Sequence, residues 1–191
     1  DPGLKPEEQA KQIETYVYEQ LQKITWLKEL DPDVQFVGVG GSFRNLARIV
    51  KRVKRYPVDM IHNFNVGRED FDSVYDMVKV LEPEKRNKIK GLNSDRADIF
   101  VAALSSIKAF FNSTNFDNLV ISGSGIREGI MFNHAVPSTV EKPLSDVLGY
   151  SAYTLMTYYD INIPHAEQVC NLSVQLYKQL RVLHKLLRQY V

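Results

Sequence analysis

Val37-Gly38-Val39-Gly40-Gly41-Ser42-Phe43-Arg44 is the stretch that decides the fold, because a short apolar run ends there in a glycine turn and leads into a predicted helix. Glycines let the backbone approach a ligand closely, and the first N–H groups of a helix have no partner within it. The helix dipole also favours negative charge at that end. The stretch therefore predicts a strand, a phosphate-binding turn and a helix.

The chain repeats this arrangement once, at Val120-Ile121-Ser122-Gly123-Ser124-Gly125-Ile126-Arg127-Glu128-Gly129. This second turn also follows an apolar run and places an arginine near the start of a predicted helix. Two such turns in one chain predict a site for phosphates or a nucleotide between two chain segments.

The composition is typical of a globular protein, with 191 residues, of which 44% are hydrophobic and 25% are charged. No apolar run approaches the length of a membrane span. The net charge of +1 provides no general attraction for nucleic acid. A single cysteine, Cys170, excludes a disulfide framework and favours a reducing, cytoplasmic location. Because the chain begins at Asp1 without methionine, we expect a fragment of a longer protein.

Apolar periodicity and turn residues predict a helix-rich α/β chain. Helices are predicted over 6–29, 42–55, 68–81, 83–89, 95–112, 126–133, 144–159 and 164–190. Strands are predicted over 34–39 and 118–122, and residues 60–66 are ambiguous. Pro137 and Pro143 mark a linker, beyond which no strand is predicted, so we place a domain boundary near residue 137.

The residues after the first turn have alternative interpretations. Phe43 occupies the position of the third glycine, so the turn does not match the dinucleotide-binding fingerprint. Ser42 can cap the helix or donate to a phosphate, and Arg44 lies in the first helical turn. Six cations then fall within twelve residues: Arg44, Arg48, Lys51, Arg52, Lys54 and Arg55. A solvated basic helix face and a track for a polyanion explain them equally well.

Three further residues are candidates for substrate binding. Arg96 stands near a predicted helix N-terminus that Asp95 can cap, where a cation is unfavourable unless an anion or a carboxylate offsets it. A structural pair with Asp98 or Glu128 is slightly favoured by the spacing. Arg127 adds positive charge at the second turn, and Glu128 is better explained as a partner that orients an arginine than as a general base. The four histidines are too scattered to predict a metal site.

Several segments together resemble the exopolyphosphatase / guanosine pentaphosphate phosphatase family. The matching segments are Gly38–Arg48, Tyr56-Pro57 with His62, Arg86 with 89–92, Asp95–Ile99 and Ser122–Gly129. Their order and spacing agree with the family over roughly residues 1–135, although the family usually has threonine where Ser42 stands. Residues 1–136 then resemble the second lobe of an actin-like ATPase/sugar-kinase (ribonuclease H-like) fold. Residues 137–191 are similar to a linker and the first helices of an all-α HD-like domain.

The resemblance implies a hydrolase that releases terminal phosphate from polyphosphate or pppGpp, usually with Mg²⁺. It implies substrate contacts from Gly40, Gly41, Ser42 and Arg44 on one side, with Arg96, Arg127 and Glu128 near them. The family's N-terminal lobe, catalytic glutamate and phosphate loop do not occur in this sequence, so we expect no catalytic residue, no metal ligand and no activity from the chain alone. A non-catalytic (p)ppGpp sensor and an actin-like kinase or ATPase lobe are the alternatives.

The same resemblance indicates partners. The missing N-terminal lobe would complete the cleft, and its absence would leave a sheet edge uncovered, which favours a homodimer. Neither a membrane nor a nucleic acid is expected to bind.

Overall fold

The computed structural model describes residues 3–31, 33–135 and 146–184. The chain forms two compact units, Asp1–His134 and Ala135–Val191. The helices of the first unit are α1 (Pro6–Leu21), α2 (Gly41–Val53), α3 (Arg68–Lys79), α4 (Pro83–Arg86), α5 (Phe100–Ser113) and α6 (Ile126–Ala135), the last ending at the boundary between the units. Its strands are β1 (Val37–Val39), β2 (Phe64–Gly67) and β3 (Asn118–Ser122).

The three strands form a mixed sheet in the order β1-β3-β2. The outer strand β1 runs parallel to β3, with Val39 opposite Ser122, and β2 runs antiparallel to β3. Parallel strands have their carboxyl ends at the same edge of a sheet. This pairing therefore brings together the two glycine turns that follow β1 and β3.

Helices cover one face of this sheet and enclose the core. Leu119 and Ile121 of β3 point into it and are fully buried, α2 packs against β3, and α1, α3 and α5 pack against one another. Three phenylalanines are also fully buried there: Phe71, Phe100 and Phe111. The opposite face presents Val37 and Val39, whose side chains are 49% and 54% exposed. In β2 and β3 the buried positions are the apolar ones, so alternation selects the packed face there, whereas in β1 the valines lie on the open face and Gly38 on the packed one.

Several predicted helices were wrong in their extents: the helix over 83–89 ends at Arg86, and the one over 164–190 is interrupted at Leu180. The helix predicted over 6–29 ends at Leu21, because hydrogen bonds from Lys23 N–H and Ile24 N–H reach back only three residues and close the chain into tighter turns. A separate 3₁₀ turn follows at Thr25–Glu29. The helix predicted to start at Asp95 begins instead at Phe100.

The segment before α5 has its own local structure. Ser94–Arg96 forms a short 3₁₀ turn, and the Asp98 carboxylate accepts the N–H of Ile99 at 2.8 Å. Asp95 therefore does not cap α5.

Among the strands, the predicted run 34–39 is too long at its start, 118–122 matches β3, and the ambiguous residues 60–66 end in β2.

The second unit is helical throughout its described residues, with α7 (Val147–Tyr158), α8 (Ile163–Gln179) and α9 (Arg181–His184). Side-chain caps fix two of these helix starts, since Asp146 accepts the N–H of Gly149 and Asn162 accepts the N–H of His165. The predicted linker at 136–143 lies outside the described residues. The HD-like character of this unit and the boundary near residue 137 stay predictions.

Among the residues that the structure describes, no helix combines the length and the apolar character that crossing a membrane requires.

Candidate phosphate-binding site

The two glycine turns lie side by side at one edge of the sheet. The register of β1 and β3 places Val39 opposite Ser122, so Gly40 and Gly123 follow directly from paired residues. Arg44, on the first turn of α2, donates from Nη1 to the carbonyl oxygen of Gly123 at 3.1 Å. This hydrogen bond ties the first turn to the second.

The first turn requires glycine at Gly40. Its φ of 123° and ψ of 176° fall in a region that is essentially restricted to glycine. The chain then enters α2, in which Gly41, Ser42 and Phe43 supply the first N–H groups. No hydrogen bond of the half-buried Ser42 hydroxyl is present among the described residues. The start of α2 thus has open donors of the kind that bind phosphate.

Arg96 packs directly against this turn. A β-carbon at Gly41 would lie 2.5 Å from Arg96 Cζ and 2.6 Å from Nε, so the guanidinium occupies the space that the glycine leaves. The side chain is half-buried. Within residues 3–31, 33–135 and 146–184, its guanidinium makes no hydrogen bond or ion pair, and the pairs with Asp98 or Glu128 that the spacing favours are not formed. An unpaired cation therefore lies beside the open N–H groups of α2.

Side chains hold the second turn at three points. His62, in the loop before β2, accepts the N–H of Gly123 on Nδ1 at 3.1 Å. The Ser122 hydroxyl donates to the carbonyl of Ser124 at 2.8 Å. At the start of α6, Glu128 Oε2 accepts the N–H of Gly125 at 2.7 Å. The turn is therefore ordered by its own side chains and by His62.

Glu128 differs from its predicted role in one respect. Its carboxylate bonds to the backbone, and no ion pair of Glu128 with a guanidinium within 4.0 Å is present among the described residues. The N–H groups of Gly125 and of Glu128 itself, together with the nearby charges of Arg127 and Arg44, lower the pKa of this carboxyl. Glu128 is exposed and ionised, and it shapes the turn that carries Arg127.

The structure thus collects most of the predicted site residues. Gly40, Gly41 and Arg96 are in contact or adjacent, and Arg44 connects them to the second turn. Arg127 is exposed on the first turn of α6. Sequence reasoning did not assign His62 to this site. Its only signal was its place in the family resemblance, since nothing in local spacing links it to Gly123.

An apolar cavity of about 390 Å³ adjoins the first turn. Gly40, Gly41 and Ser42 form one side of it, and Ala103 and Ile107 of α5 line the other. An apolar cavity next to open N–H donors can take the apolar part of a ligand whose charged group lies at the turn.

No group of three or more histidine, cysteine, aspartate or glutamate side chains in the described residues is arranged to hold a metal ion. Because Mg²⁺ is often held by only one or two carboxylates together with substrate phosphates, the Mg²⁺ that the resemblance implies stays a prediction.

Comparison with known proteins points to one protein family. The model of the Ppx/GppA phosphatase family matches residues 4–137. A guanosine-5'-triphosphate,3'-diphosphate pyrophosphatase of Aliivibrio fischeri is 30% identical over 91 residues, which are 48% of this chain and 18% of the relative. The corresponding protein of Aeromonas salmonicida is 24% identical over 110 residues, 55% of this chain and 20% of the relative. The chain spans about a fifth of the length of these relatives.

Solved structures agree on the fold. The Aquifex aeolicus member of the Ppx/GppA family superposes with a TM-score of 0.61 at 24% identity, covering 73% of this chain and 45% of its own. An exopolyphosphatase from Cytophaga hutchinsonii superposes with a TM-score of 0.57 at 19% identity, covering 66% of this chain and 41% of its own. The predicted actin-like fold of the first unit is confirmed, with many helices and a small mixed sheet.

Proposed function

The chain belongs to the Ppx/GppA phosphatase family, and we propose that it supplies the substrate-binding wall of a phosphoanhydride hydrolase. In this proposal the paired glycine turns hold the terminal phosphates of polyphosphate or of a guanosine polyphosphate such as pppGpp. The family assignment supports a hydrolase, and the geometry of the turns supports a role in holding the substrate.

The observation that carries this proposal is the position of Arg96. The guanidinium packs on Gly41 and has no hydrogen-bond or ion-pair partner among the described residues, so its donors are available to an anion. A phosphate at the start of α2 would accept from both the guanidinium and the backbone N–H groups of Gly41 and Ser42. Charge-assisted bonds of this kind are stronger than bonds between neutral groups.

The other residues take supporting roles in the same proposal. Gly40 turns the chain so that α2 points its N-terminus at the ligand, and Ser42 adds a hydroxyl donor. Arg44 keeps the two turns together, and Arg127 provides further positive charge at the second turn. Glu128 holds the backbone conformation from which Arg127 projects. Positive charge placed where phosphate oxygens gather negative charge is the main contribution a protein makes to phosphoryl transfer.

We place the base that activates water, the ligands of Mg²⁺ and the facing lobe outside the described residues. The chain alone then binds substrate without turning it over. In the same proposal the whole enzyme is cytoplasmic, and the open edge of the sheet would permit a homodimer. Phosphate release from polyphosphate by the purified chain, above that of a heat-inactivated sample, would contradict the binding-only part of this proposal.

The apolar cavity favours a guanosine ligand as one of the two candidate substrates. Replacing Ala103 with leucine would fill part of the cavity without touching Arg96. We expect Ala103→Leu to weaken binding of pppGpp and to leave binding of tripolyphosphate unchanged. Equal binding of pppGpp by both proteins would remove the cavity from the site.

The central test is titration of tripolyphosphate into wild type, Arg96→Ala and Lys11→Ala by isothermal calorimetry. Lys11 is an exposed cation on α1 beside Tyr75 and Lys79, so its removal changes the net charge equally. Loss of one charge-assisted hydrogen bond costs about 1.5–3 kcal/mol, so Arg96→Ala should weaken binding by about tenfold or more. Equal affinities of Arg96→Ala and Lys11→Ala would refute the proposed site.

A further inference from the structure

A second concentration of positive charge lies near the far end of α2. It surrounds a surface cavity of about 340 Å³. The cavity is lined by Arg48, Lys51, Arg52, Arg55, Tyr56 and Asp59. We refer to it as the arginine pocket. Four cations against one carboxylate leave this pocket strongly positive, although the chain as a whole carries a net charge of only +1.

The cations of the pocket differ in what they already bind. Lys51 is 6% exposed, donates to the carbonyl of Met60 at 2.7 Å and lies 3.9 Å from Asp59, and burial lowers the pKa of its amine. Arg48 donates to the Asn45 side chain at 3.1 Å. No side-chain hydrogen bond or ion pair of Arg52 or Arg55 is present within the described part of the chain, and both residues are exposed.

The position of these arginines along α2 connects the pocket with the glycine turns. Arg44, Arg48 and Arg52 follow each other at intervals of four residues, so their α-carbons lie on one face of the helix. At 1.5 Å per residue, Arg52 stands roughly 12 Å along the helix from Arg44. Arg55 follows just beyond the end of α2, with a left-handed φ of 49°.

Helix electrostatics explain only part of this arrangement. Cations are stabilised in the last turn of a helix by its dipole, which accounts for Arg52 and Lys54. The dipole does not explain why Arg48, Arg52 and Arg55 line the same cavity while Lys54 pairs with Asp70 at 2.8 Å outside it. Convergence of guanidinium groups on one concave surface is the arrangement that recognises phosphates.

We propose that the arginine pocket binds the inner phosphate units of a linear polyphosphate whose end lies at the glycine turns. This inference rests on the proposed function, because it takes the glycine turns as the place where the end of the chain is held. The pocket then acts as a selector of chain length. Long chains reach both positions, whereas tripolyphosphate and pppGpp reach only the turns.

The test compares two variants at similar distances from the turns. Arg52→Ala/Arg55→Ala removes two cations of the pocket, and Lys54→Ala removes a cation between them that faces Asp70. Affinities for long-chain polyphosphate and for tripolyphosphate are measured by competition against a fluorescent polyphosphate at two salt concentrations. All three side chains are exposed, so the folded structure should tolerate each change, which circular dichroism checks.

We expect the double variant to bind long-chain polyphosphate about tenfold more weakly or worse, with tripolyphosphate unchanged within about twofold. The dependence of affinity on salt should also become less steep, by about 0.7 in the double-logarithmic slope for each phosphate that the variant no longer neutralises. Lys54→Ala should have a much smaller effect on long chains. An equal loss of affinity in Lys54→Ala, or an unchanged affinity in the double variant, would overturn the pocket assignment.

Two other outcomes separate this inference from the proposed function. If Arg96→Ala weakens tripolyphosphate binding while the double variant binds long chains normally, only the pocket assignment is overturned. If Arg96→Ala changes the affinity for neither ligand, the glycine-turn site itself is overturned. Tighter, pocket-dependent binding of a single-stranded RNA oligonucleotide than of polyphosphate would also overturn the ligand that we assign.

Discussion

Replacing Gly41 with alanine should separate ligand binding from stability. The new β-carbon would lie 2.5 Å from Arg96 Cζ, whereas ordinary van der Waals contact begins at 3.4 Å, so the guanidinium must move by about 0.9 Å. The displaced group is the far end of a flexible side chain, and Gly41 has no positive φ. The folded structure can therefore accept the change, and we expect the free energy of unfolding to shift by less than about 1 kcal/mol.

The affinity of Gly41→Ala for tripolyphosphate should change, although its free energy of unfolding should change little. A shift of about 0.9 Å would move the Arg96 guanidinium away from the best position for a phosphate at the first N–H groups of α2, so Gly41→Ala should weaken the charge-assisted hydrogen bond that Arg96→Ala removes. Loss of the whole bond costs about 1.5–3 kcal/mol, so the affinity for tripolyphosphate should fall measurably but by less than in Arg96→Ala. Isothermal calorimetry measures the affinity, and urea denaturation measures the free energy of unfolding.

Gly40→Ala, at the neighbouring residue, is a control in which the free energy of unfolding should change. No atom lies within 4 Å of a β-carbon at Gly40, but its φ of 123° strains any other residue. We expect this variant to lose about 1–3 kcal/mol of the free energy of unfolding. If Gly41→Ala instead unfolds as easily as Gly40→Ala, or binds tripolyphosphate like wild type, the contact between Gly41 and Arg96 does not have the role that we assign to it.

Three further predictions concern the second turn and the core. His62→Ala removes the acceptor of the Gly123 N–H and should lower the free energy of unfolding by about 0.5–1.5 kcal/mol in urea denaturation, a loss that His62→Asn should partly restore. Phe71→Ala empties a fully buried position and should cost about 3–5 kcal/mol, measured in the same way; a cost below about 1 kcal/mol would contradict the packing described. The folded pKa of Glu128 is depressed, so its hydrogen bond to Gly125 stabilises the turn fully at a pH above the ordinary pKa of a glutamate carboxyl. This stabilisation is lost as the pH falls through the lowered pKa. The NMR signal of the Gly125 amide should therefore titrate in wild type and not in Glu128→Gln.

The sequence is sufficient to predict the parts of the fold that depend on local pattern. The β1 turn into α2 and the β3 turn into α6 both form where glycine and apolar spacing place them. The end of α1 and the start of α5 were wrong, because apolar spacing continues through the 3₁₀ turns that interrupt both segments. Periodicity does not distinguish a helix from a short turn that faces the same core.

The site residues that the sequence could predict are likewise those set by local pattern. Gly40, Gly41 and Arg44 were predicted from one continuous stretch, in which spacing carries the information. The contact of Arg96 with Gly41 and the bond of His62 to Gly123 join residues distant in sequence, so only the assembled sheet reveals them. The pairing expected for Arg96 from local spacing is not formed among the described residues, because its side chain packs on Gly41 instead.

The strand order has a consequence for how this chain folds. The central strand β3 is the last of the three in the chain, and β1 and β2 pair with it rather than with each other. Within the sheet of the described residues, both strands therefore stay unpaired until β3 is available, and closing such long loops slows folding. Pulse-labelled hydrogen exchange should show β1 and β2 gaining protection together with β3, and earlier protection of either would contradict this order. The step that completes the sheet also brings Gly123 to Arg44, so folding intermediates that lack β3 should have the first glycine turn without its hydrogen bond to the second.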